Sequence, residues 1–203
     1  LLLGIKHLLG IPTVMRGTGA TSAAYLDLDK DGEIDTRIQI LQFSETGRHG
    51  SDTMFGNGKP GFSISINAIH PESKGNISLT NDSLVINPNY LSAKKDMEIL
   101  KLALKYCVDL LKSNPINDYV KEIIDEDIIT RDPEKYIKDT MYSGHHLIGG
   151  LKNNINSNFK VNNVDGLYAC DASVFDEFVA SNIHSSVVLL ADMFAKRFIT
   201  QEK

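Results

Sequence analysis

The sequence predicts an α+β fold: an antiparallel sheet with flanking helices, then a strand and helix of α/β type near the C-terminus. Three observations carry this. Several short runs in the first half alternate apolar with polar residues, as a sheet with one wet face requires. From Ser92 to Leu111 the apolar residues recur at three- and four-residue steps, the spacing of a helix face. Finally, the continuous apolar run Leu167-Tyr168-Ala169-Cys170 and the apolar stretch from Ser185 to Phe198 have the pattern of a buried strand and a buried helix.

In chain order, Ala24–Leu28 and Arg37–Gln42 read as the arms of a hairpin around Asp29-Lys30-Asp31-Gly32-Glu33, which is rich in turn formers. Asp27-x-Asp29-x-Asp31-Gly32-x-x-Asp35 has the oxygen-ligand spacing of a calcium loop. Its twelfth position is Ile38, where an EF-hand carries Glu, and strands flank it instead of helices. The segment therefore reads as an acidic hairpin turn and no metal is assigned; a non-catalytic calcium-binding or partner-binding module is the alternative class. Ser44 to Pro60, with Gly47, Gly50, Gly56 and Gly58, reads as a long mobile loop, a lid over a pocket lined by Phe62, Ile64 and Ile66. Gly61–Ala68 has the clearest period of two, and Asn76–Leu79 continues it after the turn Pro71–Gly75. Ser92 is placed to cap a helix with Met97, Leu100, Leu104, Val108 and Leu111 on one face, ended by Pro115. Asp132-Pro133 opens a short helix through Tyr136 and Ile137.

With 42% hydrophobic residues in 203, the chain has enough apolar matter for a core. A net charge of -5 and scattered Lys and Arg argue against a nucleic-acid surface. No apolar run approaches the roughly 20 residues of a spanning helix, and no basic region precedes the apolar start as in a signal peptide. A soluble protein of cytoplasm or periplasm is expected. The first residue is Leu and not Met, so the chain reads as beginning in mid-protein. Cys107 and Cys170 are too few for a disulfide framework and read as buried thiols.

Three groups then follow in fixed order: His145-His146-Leu147-Ile148-Gly149-Gly150, Asp171-Ala172-Ser173, and Ser181-Asn182-Ile183-His184-Ser185-Ser186. They resemble the C-terminal part of the glucose-methanol-choline (GMC) family of flavin-dependent oxidoreductases, whose pattern is H-x-x-G-[ST]-x-[KR]-M, a strand ending in D-A-S, and N-P-N or a His-containing equivalent before the last helix. His146, Gly149 and Lys152 match the first element, and Asn182 with Ser186 the third. Upstream, Pro71–Leu79 is similar to the family's P-x-S-[RK]-G-x-[VI]-x-L, and Asn87-Pro88-Asn89-Tyr90-Leu91, with Asp96 following, to its N-P-x-Y-L. The chain departs from the pattern at Gly150, Asn153 and Ile183, where the family has Ser or Thr, Met, and often Pro. The family's G-x-G-x-x-G has no counterpart, since Gly17-Thr18-Gly19 precedes a strand instead of linking strand to helix.

The resemblance implies an FAD-dependent oxidoreductase that moves a hydride from the CH-OH group of a small-molecule alcohol to flavin N5. Residues 1–140 would be the substrate-binding domain, and residues 141–203 a segment of an incomplete FAD-binding α/β domain. It also implies that FAD requires an N-terminal half carried on a missing segment or chain, so that these residues are a fragment or one chain of a split enzyme. His146 is then the base and Asn182 the second contact to the substrate oxygen; histidine suits proton transfer near neutral pH. A one-residue slip of register puts His145 in the first role, and His184 is the other candidate for the second. Asp171 and Ala172 would meet the flavin, as would Asn182, Ile183 and His184 at a helix N-terminus, whose free N–H groups suit negative charge. His7, His49 and His70 read as surface or structural residues.

Overall fold

The computed structural model describes residues 2–12, 20–42 and 61–201. The expected lid from Ser44 to Pro60, with His49 in it, and Gly17 to Gly19 lie outside the described residues. The chain divides into two compact units, one made of Leu1–Ala68 and Met97–Tyr142, the other of Ile69–Asp96 and Ser143–Lys203.

In the first unit, a short helix α1 (Leu2–Leu8) precedes a three-stranded antiparallel sheet of β1 (Ala20–Leu26), β2 (Thr36–Leu41) and β3 (Ser63–Ala68), with β2 central. The expected hairpin forms, but β1 begins earlier and ends at Leu26, leaving Asp27 and Leu28 to the turn. The pair Leu26↔Thr36 closes it, and Ile38 lies between Ala24 and Ile66. Thr36 and Ile38 are buried on one face of β2, while on the other Arg37 donates to Gln39 Oε1 at 2.6 Å. The period-two pattern reports a difference between the faces from Thr36 to Gln39 only, since Ile40 on the inner side is exposed and β3 is half-buried along its whole length.

Helix α2 (Lys94–Leu111) places Met97, Ile99, Ala103, Leu104 and Cys107 in the interior, with Ala103 wholly buried. Leu100, Val108 and Leu111 from the expected stripe are half-buried, so the inner face is turned toward Ala103 and Cys107. Burial pushes the Cys107 thiol up to about 11. Two short helices follow, α3 (Glu126–Arg131) and α4 (Pro133–Thr140), and each buries one isoleucine, Ile129 and Ile137. As its Asp-Pro start predicts, Asp132 caps α4 by accepting from the Lys135 N–H at 3.0 Å.

The second unit begins with a two-stranded ribbon, β4 (Asn76–Leu79) and β5 (Leu84–Asn87), tied at its tip by Thr80 N–H to Ser83 O at 2.9 Å. At its base a Cβ on Gly75 would stand 2.1 Å from Asn87 O, so only glycine fits there. Asp96, 5% exposed in the first turn of α2, joins these pieces. Its carboxylate accepts from Glu72 N–H at 2.8 Å and Ser73 N–H at 3.0 Å, while Ser73 Oγ accepts from Ala93 N–H at 3.0 Å. A short, charge-assisted bond of this kind is among the stronger ones in a protein.

The last helix, α5 (His184–Gln201), forms where the apolar run predicts it but is not buried all round. One side packs through Phe194 and Phe198 on Phe159 and Tyr168, with ring centroids 5.4 to 6.1 Å apart. Val188, Leu189, Met193 and Ile199 are exposed. The expected strand at Leu167–Cys170 is absent: one bridge, Lys160↔Tyr168, pairs there, and Leu167 and Tyr168 are exposed. Its backbone groups bond to a neighbouring loop, through Val161 N–H to Leu167 O and Ala169 N–H to Phe159 O, in place of a sheet ladder.

Two outcomes are expected. Asp96→Ala leaves two backbone donors without their acceptor and lowers the unfolding free energy by about 2–5 kcal/mol, read in a denaturant titration; Asp96→Asn costs less. For Cys107, the folded value of about 11 exceeds the ordinary 9.0, so its contribution is complete below pH 9 and lost as the pH rises toward 11. The melting temperature of Cys107→Val should therefore fall less steeply over that interval than that of the unaltered chain.

Candidate functional site

The candidate residues lie in the second unit, on three segments. The first is the loop after α4. Tyr90, from the N-P-N-Y-L stretch, donates its hydroxyl to Ser143 Oγ at 2.7 Å, and the same oxygen accepts from His145 N–H at 2.9 Å. His145 is exposed and left-handed, with φ 58°, so the chain turns sharply just before the half-buried His146.

The second segment is Asp171–Val174, a single 3₁₀ turn capped by Asp171, whose Oδ1 accepts from Ser173 N–H at 2.8 Å. It is fastened to the histidine loop by two backbone bonds, Gly149 N–H to Ala172 O at 3.3 Å and Leu151 N–H to Ser173 O at 2.8 Å. Gly149 has φ 79°, and a Cβ there would stand 3.4 Å from Phe175 O. The glycine of H-x-x-G thus lets the loop turn and lie against D-A-S. Ser173 Oγ is buried without a hydrogen-bond partner, a feature that sequence reasoning missed because a serine's partner depends on the fold around it. Half-burial and the neighbouring Asp171 carboxylate push the Cys170 thiol up, which keeps it protonated and unsuited to nucleophilic chemistry near neutral pH.

The third segment is the start of α5. Asn182 and His184 are exposed and Ile183 is buried. The Val187 N–H bonds to Ile183 O at 2.9 Å, so Ile183 occupies the cap position and the preceding N–H groups lie outside the helix ladder. An 18-residue helix gives this end a positive partial charge. The structure therefore brings the His146 loop and Asp171–Ser173 together, and sets Asn182, Ile183 and His184 in sequence at the helix start.

The family model of the GMC oxidoreductases matches residues 71–191. The chain belongs to the GMC oxidoreductase family. The GMC chain is 28% identical over 151 residues to the chloroplastic fatty acid photodecarboxylase of Chlamydomonas reinhardtii, a match covering 66% of this chain and 25% of that protein. Among solved structures, pyridoxine 4-oxidase from Mesorbium loti superposes with a TM-score of 0.69 at 18% identity, over 90% of this chain and 38% of that one. A formate oxidase from Aspergillus oryzae, whose structure concerns FAD modification, gives 0.64 at 18% identity, over 83% and 32%. These structures share the antiparallel sheets and helices of the fold, and the chain spans between a quarter and two fifths of each relative's length. No helix among the described residues is long and apolar enough to cross a membrane.

Each of two separate features would suit the edge of a flavin. A positive helix end suits the electron-rich side of such a ring, and the Ser173 hydroxyl has bonding capacity to spare. Gly149→Ala should strain the loop and lower stability by about 1–2 kcal/mol, measured as a shift in the denaturation midpoint.

Proposed function

We propose that this chain is the substrate domain and flavin-facing C-terminal segment of an FAD-dependent oxidoreductase that oxidises a small-molecule alcohol, acting with a dinucleotide-binding part outside these residues. Residues 1–140 serve substrate binding and residues 141–203 the flavin. The observation that carries this reading is the pair of backbone bonds from Gly149 and Leu151 to Ala172 and Ser173, which ties the loop of His146 to the D-A-S turn. Family membership supports the oxidoreductase class, and the name pyridoxine 4-oxidase carried by one structural neighbour favours a small molecule as the substrate.

When bound, FAD supplies the acceptor for the hydride that leaves the alcohol carbon. His146 takes the hydroxyl proton on a ring nitrogen as the carbonyl forms. His145 fits this role less well, because its exposed, left-handed position serves the turn. Asn182 donates its amide to the same substrate oxygen and holds the alcohol in line. Asp171 and Ala172 would hold the flavin edge, and the N–H groups around Ile183 and His184 would offset negative charge on it. The exposed apolar side of α5, with Val188, Leu189 and Met193, packs against the dinucleotide-binding part.

In the FAD-loaded enzyme that contains these residues, His146→Ala should lower kcat by about 10²- to 10⁴-fold while the flavin absorbance of the protein is retained. Asn182→Ala should lower it less. Unchanged turnover in both variants would sink the catalytic reading in favour of a segment that serves only as a partner surface.

A further inference from the structure

We propose that the turn between β1 and β2 is a calcium site, with the carboxylates of Asp27, Asp29 and Asp35 as ligands. The sequence alone favours a plain acidic turn, because the twelfth position of the loop is Ile38. The register changes that conclusion. Leu26↔Thr36 is the last pair of the ladder, so the next residue on each strand, Asp27 and Asp35, face one another across the mouth of the turn. The closing carboxylate therefore comes from the ninth position, and Ile38 is free to pair inside the sheet.

One oxygen from each of Asp27, Asp29 and Asp35 lies within 4.8 Å of the others. Calcium binds oxygens at about 2.3–2.6 Å, so ligands on opposite sides of the ion stand about 4.6–5.2 Å apart. The three carboxylates are spaced to share one ion.

A second observation points to a cation independently of the clustering. Asp35 is 8% exposed, and its Oδ1 is fully buried with no hydrogen-bond partner. The other oxygen, Oδ2, accepts from Leu28 N–H at 2.8 Å and Asp29 N–H at 3.1 Å. Asp27 repeats the arrangement: Oδ2 accepts from Gly32 N–H at 3.0 Å, while Oδ1 is buried and unpartnered. The backbone thus orients two carboxylates by one oxygen each and leaves the second oxygen of each without a donor. A buried carboxylate oxygen with neither proton donor nor cation is costly, and residues 27 to 35 carry five acidic side chains with one lysine, Lys30, among them. A divalent ion relieves both the repulsion and the missing bonds. Calcium suits the site better than magnesium, because it accepts irregular sets of six to eight oxygens whereas magnesium demands a near-ideal octahedron. Backbone carbonyls of the turn and water complete its shell.

Thermal unfolding of the full chain in excess EGTA, calcium chloride or magnesium chloride tests the site. A ligand that binds only the folded state raises its melting point, and calcium at about a hundredfold excess over its dissociation constant should add about 5 °C or more, with magnesium adding less. Asp35→Asn and Asp29→Asn should each lose most of the increment. The Asp29 side chain is exposed, so its variant keeps the test decisive if Asp35→Asn does not fold. Terbium provides a second readout: its luminescence, sensitised by Tyr25 two residues from Asp27, should be displaced by calcium and lost in Asp29→Asn. Equal melting in EGTA and calcium, an equal response to magnesium, or a full calcium response in both variants would overturn the proposal.

Discussion

The carboxylate of Asp96 is the constraint on which the second unit depends. One buried acidic group at the start of α2 holds two consecutive N–H groups of the Pro71–Gly75 turn, and Ser73 of that turn binds back to the N–H of Ala93. The exchange is reciprocal, like a capping box spread over more than twenty residues of chain. It holds the turn ahead of the β4–β5 ribbon against the residues just before Met97, and the chain runs on from the ribbon through Asn87-Pro88-Asn89 to Tyr90, which bonds Ser143 ahead of the histidines. A carboxylate with no catalytic part thereby leads, through two hydrogen-bonded links, to the loop that carries His146.

Much of the architecture was legible in the residues. Alternation in Arg37–Gln42 and Gly61–Ala68 identified strands because an extended chain sends successive side chains to opposite faces, and Asp132-Pro133 marked α4 because cap and first-turn chemistry are local. Legibility ended where a partner distant in sequence decides the outcome. Leu167–Cys170 has a strand's composition, yet its backbone is satisfied by a loop and the ladder never forms. The helix at α5 could be read, but its burial could not, since the cover over an apolar side is supplied by other parts of a protein. The β5 strand passed unnoticed because Leu84-Val85-Ile86 is a continuous apolar run that shows no alternation, unlike the equally short β4.

The candidate site divides in the same way. The order of His146, Asp171 and Asn182 could be read because motifs are contiguous, and with it the family. The backbone bonds joining H-x-x-G to D-A-S, and the lone hydroxyl of Ser173, depend on how two loops meet and left no mark in composition. In the acidic turn, spacing alone suggested a calcium loop and the missing glutamate argued against one; strand register reversed the balance, because it determines which carboxylates are neighbours.

The fit at Gly75 governs which parts of the ribbon can vary over evolutionary time. A side chain there would run into the main chain at Asn87 and Pro88. The two ends of the ribbon are consequently locked together at their base, while the exposed tip between Leu79 and Leu84 carries no such restriction. Insertions and deletions among homologues should therefore accumulate at the tip, leaving the spacing from Gly75 back to Pro71 and from Asn87 forward to Asp96 unchanged.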